Sequence, residues 1–317
     1  MFMTIAYMTF RRDPRFEWFA ASLWREMRAH EVEPEQLQIV VIDGRLWYDP
    51  ARRIALREIV HGRFEFEHHP PKPTVWQGPN RLTSHDYFAA SNARNTAFAY
   101  ARAPHVAFVD DLSVLLPGWL GAHFRAYEGR FVLCGSTCKN KNINVNGNGD
   151  VVSFERFEPG QDSRLATFNQ SSGLFRANGG WLFGGTFSVP LEAALKVNGQ
   201  DELCDTIGGE DYDFGFRLER SGADIYGDRT CGTFEDEDGH HAEAPMIRLD
   251  KPWPGEHGPY SSNYLLHRLR NEQSRYLPLG NNFDLRALRD RVLAGEDFPI
   301  PTEPTNHWVD GEPLRRM

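Results

Sequence analysis

Two adjacent carboxylates, Asp110 and Asp111, follow the largely apolar run 105–109 and are the first candidates for chemistry in this 317-residue chain. At the end of a buried strand, neighbouring carboxylates repel each other unless a positive charge lies close to both. A divalent cation that bridges phosphates would meet this need, because carboxylate oxygens are ligands that Mg²⁺ and Mn²⁺ prefer. The alternative interpretation is a pair of helix N-caps ahead of Pro117.

A second acidic pair, Glu210 and Asp211, directly follows glycines at 208 and 209. Glycine lets the backbone turn tightly into a helix, and the helix dipole stabilises carboxylates at the N-terminus. The pattern is typical of ordinary N-terminal capping, but it also positions a carboxylate as a general base. Asp213 is a weaker candidate, because at about 100° per helical residue it points to a different side from Asp211.

Two further residues, Asp43 and His240, are candidates for binding a ligand or a metal ion. Asp43 ends the apolar run 37–42, and ligands of open α/β sheets bind at the carboxyl ends of strands. Its carboxylate could accept hydrogen bonds from a ribose or a base, although Asp-Gly is also a common turn. His240 follows the acidic run 235–238 and is a candidate metal ligand. The alternative is a solvent-exposed histidine.

Alternating strand and helix patterns carry these residues, which predicts an α/β fold with a mostly parallel sheet and helices on both faces. In the first half, apolar runs and helical spacing predict strands at 4–9, 37–42, 105–109 and 131–135 and helices at 16–29, 86–102 and 117–127. The Asn- and Gly-rich segment 139–170 is expected to form a hairpin or a long loop beside the sheet. In the second half, the same patterns predict strands at 181–189 and 224–227 and helices at 191–197, 210–221, 263–275 and 283–293.

The composition excludes several classes of protein. The chain has a net charge of −9, which argues against broad nucleic-acid binding but leaves room for a local basic groove. It has no apolar stretch of about 18 residues, so we expect no membrane span, and the N-terminus lacks the pattern of a signal peptide. Four cysteines without a CxxC pair are too few for a disulfide scaffold. We therefore expect a cytoplasmic protein with free thiols.

Four segments, taken in order, give a more specific indication. They are IVVIDG at 39–44, SNARNTA at 91–97, VAFVDD at 106–111 with PGWL at 117–120, and GGTF at 184–187 followed by VNGQDE at 197–202 and GGEDYDFGFRL at 208–218. The chain thus resembles GT-A fold glycosyltransferases of the family 2 type, with a second half similar to that of the β-1,4-galactosyltransferases. The resemblance covers roughly residues 4 to 241. It implies a single catalytic domain at 1–241, built on a mixed Rossmann-like sheet, and a C-terminal extension at 242–317 that packs on it.

The resemblance implies a role for each segment in binding a nucleotide-sugar donor. Asp43 would bind the nucleotide base, and Arg94 and Asn95 would face the nucleotide and its diphosphate. Asp110 would lie beside the diphosphate as part of the DxD-like motif. Gly185 would line the donor site on the acceptor side. A UDP-sugar is the donor that we expect.

The same resemblance assigns the reaction to the GGED segment. Asp211 would remove the proton from the acceptor hydroxyl, and Glu210 would hold hydroxyl groups of the acceptor or the sugar. Trp181 and Tyr212 are candidate rings for stacking on a sugar, although each could equally be a core aromatic residue. The implied reaction is an inverting transfer by direct displacement.

The chain departs from the family at the metal site. The third position of the DxD motif is Leu112, which cannot bind a metal. A metal-binding histidine follows the ED pair by about thirty residues in the galactosyltransferase-like branch, and His240 stands at that distance. The resemblance therefore implies Mn²⁺ or Mg²⁺ held by Asp110, Asp111 and His240.

Other functions stay open at this point. A nucleotidyltransferase would need a Gly-rich phosphate loop after the first strand, where this chain has MTFRRDP at 8–14. A degenerate GT-A domain that binds glycans or partners without turnover is the second alternative, and the retention of Asp110, Asp111, Glu210, Asp211 and His240 argues against it. The acceptor is open between a glycan, a protein, a small molecule and a hydroxymethylated base in DNA, the last because scattered arginines could line a phosphate-rich groove.

Overall fold

A mixed sheet of ten strands forms the centre of the fold. The computed structural model describes residues 1–81, 86–170, 173–205, 208–242, 276–278 and 280–300, together with two short strands at 308–309 and 312–313. The strands are β1 (Met3–Thr9), β2 (Leu37–Asp43), β3 (Glu67–His69), β4 (His105–Asp110), β5 (Ser113–Leu115), β6 (Val132–Val145), β7 (Val151–Arg156), β8 (Leu174–Arg176), β9 (Thr186–Pro190), β10 (Ile225–Asp236), β11 (Trp308–Val309) and β12 (Glu312–Pro313). The helices are α1 (Phe16–Ala29), α2 (Arg52–Val60), α3 (Ala90–Tyr100), α4 (Trp119–Gly129), α5 (Leu165–Gln170), α6 (Leu191–Lys196), α7 (Glu210–Arg220), α8 (Glu237–Ala242) and α9 (Leu285–Leu293).

The strand order brings the predicted site residues to one edge of the sheet. The order is β3-β2-β1-β4-β9-β6-β10-β5, with β7 added on β6 and β8 on β10. Strands β3, β2, β1 and β4 are parallel, and β9 runs antiparallel to both β4 and β6. Strands β6 and β10 are parallel to each other and, through β9, to β4. In register, Thr9 lies beside Asp43 and Met8 beside Asp110, so these strands end at the same level.

The sheet separates two apolar layers. Side chains alternate between its faces, so Ile5 and Tyr7 of β1 pack with α1, α2 and α4, whereas Ala6 and Met8 pack with α3, α6, α7 and α9. Strand β1 is buried along its whole length, as expected of a central parallel strand covered on both faces. The mixed α/β fold that the sequence predicted, with helices on both faces, is confirmed.

Several predicted boundaries are wrong. The Asn-rich segment does form a hairpin, but β6 continues from the sheet to residue 145 and pairs with β7, so residues 139–145 are strand rather than loop. The strand predicted at 181–189 begins only at Thr186, because the glycines at 179 and 180 form a short 3-10 turn that includes Trp181. Strand β10 extends to Asp236, well beyond the predicted end. The short elements α2 and β3 were not predicted.

Part of the C-terminal region packs on the sheet-flanking helices. Leu285 and Leu288 of α9 are buried in the same apolar layer as α3. The backbone N–H of Leu285 donates to Asn198 Oδ1 at 2.7 Å, and Arg289 Nε donates to the carbonyl of Ala101 at 3.1 Å. The helix predicted at 263–275 lies outside the described residues. Within the described part of the chain, no helix is both long enough and apolar enough to cross a membrane.

Candidate active site

The end of β4 fixes Asp110 and Asp111 in two different environments. The backbone N–H of Asp110 donates to the carbonyl of Gly185 at 3.2 Å, which ties β4 to the start of β9. Asp111 accepts hydrogen bonds from Thr9 Oγ1 at 2.8 Å and from Arg11 Nε at 3.1 Å. Leu112 is fully buried with a φ of +61°, so the third position of the motif faces the interior and supplies no ligand.

Arg94 joins three of the predicted segments. Its guanidinium is 2% exposed and lies between Asp110 of β4 and Glu210 of α7, at 3.4 and 3.1 Å. It also donates to the carbonyl of Gly184 at 3.2 Å. Residues that are up to 116 positions apart in the sequence thereby form one charged cluster.

Asp211 begins helix α7 at the edge of this cluster. Glycines 208 and 209 both adopt left-handed φ values, +82° and +81°, which residues with a side chain rarely adopt. The Asp211 carboxylate accepts hydrogen bonds from the backbone N–H groups of Gly184, at 3.1 Å, and Tyr212, at 2.8 Å. Burial and the neighbouring charge of Glu210, opposed by Arg94, raise the pKa of Asp211 to about 6.

A raised pKa also marks Asp110. Burial, opposed by the charge of Arg94 and reinforced by the nearby acids Glu235, Asp111 and Glu210, raises the pKa of Asp110 to about 7. Carboxylates with pKa values near neutrality are typical of sites that bind or transfer charge. The raised pKa values therefore suit this cluster to proton transfer near neutral pH.

Asp213 differs from Asp211 although both lie on the first turns of α7. Its carboxylate is 2% exposed and pairs with Arg217 at 2.7 Å, one helical turn later. Arg217 in turn donates to the carbonyls of Val197 and Gly199. This pair joins α7 to the preceding loop, which gives Asp213 a structural role.

Asp43 is fully buried at the end of β2. Its carboxylate pairs with Arg52 Nε, lies 3.1 Å from His68 Nε2 and accepts the backbone N–H of Arg45 at 2.9 Å. Arg52 also donates to the carbonyls of Arg11 and of the next residue, so Asp43 supports the loop after β1. Its contact with a nucleotide base stays a prediction.

Asn95 has a similar internal role. It is fully buried on α3, where its amide group donates to the carbonyl of Gln200 and to Glu202 Oε1 and accepts the N–H of Gln200. These bonds hold the loop that precedes α7 against α3. Direct contact between Asn95 and the diphosphate stays a prediction.

Close backbone approach explains the two glycines that precede β9. A Cβ on Gly185 would lie 2.3 Å from Thr137 Oγ1 of β6, and a Cβ on Gly184 would lie 2.5 Å from Arg94 Nη2. Both distances are too short for a side chain. Gly185 thus lets β9 approach β6, while Gly184 makes room for the central arginine.

The aromatic residues near Asp211 differ in how far they are exposed. Trp181 is half-buried and packs edge-to-face on Phe168 and Phe175, at ring-centroid distances of 5.6 and 5.3 Å. Tyr212 and Phe183 are instead the exposed rings, at 46% and 42% exposure. Sequence reasoning missed Phe183, although its position directly before the glycine pair was a usable signal.

The predicted metal ligands are brought near one another, but cationic side chains lie among them. Arg11 Nη2 is 3.2 Å from His240 Nδ1, and Arg11 Nε binds Asp111. Lys139 Nζ lies 3.5 Å from the same histidine nitrogen. Among the described side chains, no group of three or more His, Cys, Asp or Glu residues is arranged to hold a metal ion. In this arrangement the donor set does not fit a divalent ion.

Comparison with solved structures gives the same fold. The crystal structure of S. aureus TarS residues 1–349 is 13% identical, with a TM-score of 0.52, over 93% of this chain and 70% of that one. The structure of those residues in complex with UDP gives 12% identity, a TM-score of 0.53 and the same coverage. A longer TarS structure gives 13% identity and a TM-score of 0.54, and this chain spans 42% of it.

TarS is a GT-A-like glycosyltransferase, so these similarities confirm the predicted class of fold. At this level of identity they show the fold alone. No protein-family model and no curated protein sequence matches the chain.

Proposed function

We propose that this protein is a glycosyltransferase that moves a sugar from a nucleotide-sugar donor to an acceptor hydroxyl. The observation that carries the proposal is the position of Arg94, which contacts Asp110 at the end of β4 and Glu210 at the start of α7. Ligands of open α/β sheets bind at this edge. The UDP complex of the structural neighbour TarS supports a uridine diphosphate donor.

In the proposed reaction, Asp211 acts as the general base. The acceptor oxygen attacks the anomeric carbon, the bond from that carbon to the diphosphate oxygen breaks, and Asp211 takes the acceptor proton. Direct displacement on the face opposite the leaving group inverts the anomeric configuration. The raised pKa of Asp211 suits this role, because a base is most effective when its pKa is near the working pH.

The neighbouring residues hold Asp211 and the substrates. The N–H groups of Gly184 and Tyr212 fix the carboxylate, so its direction is set before the acceptor binds. Arg94 holds Glu210, which in this proposal accepts hydrogen bonds from sugar hydroxyls. Phe183 precedes Gly184, whose N–H holds Asp211, and Tyr212 follows Asp211 in the chain. Both rings are exposed and would offer apolar faces to a sugar acceptor.

A binding-only domain is the main alternative, and the pKa of Asp211 argues against it. A carboxylate kept buried beside Glu210 destabilises the folded state at neutral pH, a cost that a catalytic base explains.

The test is a donor screen followed by a turnover assay. Thermal-shift measurements with UDP-, GDP- and TDP-sugars should show stabilisation by one nucleotide class, because a ligand of the folded state stabilises it by mass action. The stabilising donor is then assayed for release of free nucleotide diphosphate, with water or a panel of glycans as acceptor. Failure of every nucleotide-sugar to stabilise the protein or to be consumed would refute the proposal.

Two variants show whether the measured donor turnover comes from this protein or from a contaminating enzyme. Arg94→Met should abolish donor turnover, because it removes the charge that joins Asp110 to Glu210. Asp224→Asn is the matched control, since Asp224 is exposed, pairs with Arg176 and precedes β10 at the opposite edge of the sheet. Its turnover should equal that of the wild type.

A further inference from the structure

Arg11, in the loop that follows β1, occupies the space between two of the predicted metal ligands. Its Nε donates to Asp111 at 3.1 Å, and its Nη2 lies 3.2 Å from His240 Nδ1. Its Nη1 donates to the carbonyls of Gly239 and His240 at 3.3 and 3.2 Å. The guanidinium thus joins the end of β4 to helix α8 through four contacts.

The loop around Arg11 is built to hold this position. The Arg11 N–H donates to Thr9 Oγ1, and Thr9 Oγ1 donates to the second oxygen of Asp111. The carbonyl of Arg11 accepts a hydrogen bond from Arg52, which is itself paired with the buried Asp43. The Arg11 side chain is only 10% exposed. Displacing it would therefore break a connected set of buried polar contacts.

A second cation, Lys139 of β6, completes the arrangement. Its ammonium group lies 3.4 Å from Glu235 and 3.5 Å from His240 Nδ1. The same ammonium group lies 4.0 Å from Glu237. Lys139 is 29% exposed, so it can reach a ligand that the more buried Arg11 cannot.

These contacts conflict with a divalent ion at this place. Both carboxylate oxygens of Asp111 already accept hydrogen bonds, one from Thr9 and one from Arg11. Two cations face His240 Nδ1, and Leu112 removes the third acid of the motif. Arg11 lies beside Asp111, and Lys139 lies beside Glu235 and Glu237. Since neutralising the diphosphate is the principal electrostatic task of an ion in such a site, fixed cations can perform it.

We propose that Arg11 and Lys139 replace the divalent ion in this protein. Arg11 neutralises Asp111 and holds His240, and Lys139 carries the positive charge that meets the diphosphate of the nucleotide. Donor binding and turnover then proceed without a divalent ion. The part concerning the diphosphate rests on the proposed function, whereas the exclusion of metal by Arg11 is a property of the protein alone.

Manganese binding to the protein alone tests the exclusion. The electron paramagnetic resonance signal of free Mn²⁺ should be unchanged by the wild-type protein, with and without UDP. Arg11→Ala exposes Asp111 and His240 and should reduce the free Mn²⁺ signal. Arg12→Ala, a change of the exposed neighbouring arginine, should behave as the wild type. Depletion of Mn²⁺ by the wild type, or a folded Arg11→Ala protein that binds none, would overturn the proposal; if Arg11→Ala does not fold, the wild-type spectra still decide.

Titration calorimetry with UDP tests the role of the diphosphate contact. The affinity of the wild type for UDP should be the same in EDTA and in Mn²⁺ to within about twofold. Loss of one good interaction would change this affinity by about tenfold. Lys139→Ala should weaken binding by about 10- to 100-fold, and Lys139→Arg should retain most of it. A tenfold loss in EDTA, or no effect of Lys139→Ala, would contradict the proposal. Absence of any nucleotide binding would instead refute the proposed function, and the manganese spectra would still decide whether Arg11 excludes the ion.

Discussion

Neutralising Asp211 should have opposite effects on activity and on stability. Asp211→Asn keeps the shape of the side chain but removes its basicity, so transfer should slow by roughly 10²- to 10⁴-fold, the usual worth of a positioned base. Donor affinity should stay near that of the wild type, because Asp211 is held by backbone N–H groups rather than by the Arg94 cluster. The wild-type rate should rise with pH and level off above about pH 6, where Asp211 is ionised.

The stability effect follows from the same pKa. Folding raises the pKa of Asp211 from 3.8 to about 6, and two pKa units correspond to about 3 kcal/mol. Between about pH 4 and pH 6 the folded state holds a proton that the unfolded state has lost, so wild-type stability falls as pH rises through this window. The asparagine variant lacks this slope. In the variant, one of the two backbone N–H groups that bind Asp211 would face the amide NH₂ group instead of an oxygen, which costs about 1 kcal/mol. Subtracting this cost from the gain of about 3 kcal/mol leaves the variant more stable than the wild type by about 2 kcal/mol above pH 7.

Urea denaturation of both proteins at about pH 4.5 and pH 8 measures this difference, and the transfer assay uses the same preparations. The free energy of unfolding of Asp211→Asn relative to the wild type should be higher at the upper pH. If the variant loses stability at both pH values and also loses donor binding, Asp211 is a structural residue. If it is more stable but transfers sugar at the wild-type rate, the base lies elsewhere and Glu210→Gln is the next variant.

Three other substitutions test separate parts of the structure. Asp43→Ala leaves Arg52 buried without its carboxylate and should lower the free energy of unfolding by roughly 3–5 kcal/mol in urea denaturation; a change below 1 kcal/mol, on the order of an exposed ion pair, would contradict this reading. Phe183→Ala should raise the KM for a sugar acceptor about 2- to 10-fold through loss of ring stacking, with the KM for the donor unchanged. Glu26→Gln weakens the acceptor for two backbone N–H groups at the start of α4 and should cost about 1–3 kcal/mol of stability, with wild-type kinetics in the surviving folded protein.

The sequence was sufficient to predict which segments meet. Apolar runs that end in Asp43 and Asp110 must be strands with a common edge, and the GGED pattern must begin a helix, because local periodicity and glycine conformation determine these elements. The contact of Arg94 with both Asp110 and Glu210 was not among these predictions and is seen only in the structure. The resemblance then assigned roles that local patterns alone left open.

The partners of each acid were not predictable in the same way. Arg11 meets Asp111 across 100 positions and His240 across 229. Such contacts depend on how the loop after β1 packs against α8, and no periodicity in the sequence encodes this packing. The same reason explains why Phe183, rather than Trp181, is the exposed ring: the 3-10 turn at 179–181 turns the tryptophan onto Phe168.

Acidic residues of this chain that look alike in the sequence are distinguished by what neutralises them. Asp43 and Asp213 each have a dedicated arginine within the buried interior, and both join neighbouring segments of the fold. Asp110 and Glu210 share one arginine, and Asp211 beside them is held by backbone N–H groups, so the negative charge of these acids is incompletely compensated and the pKa values of Asp110 and Asp211 rise. A site in which carboxylates outnumber their cations takes up a proton readily. This imbalance, rather than the motif letters, is the physical reason to assign proton transfer to Asp211 and to assign Asp213, two residues later, to the scaffold.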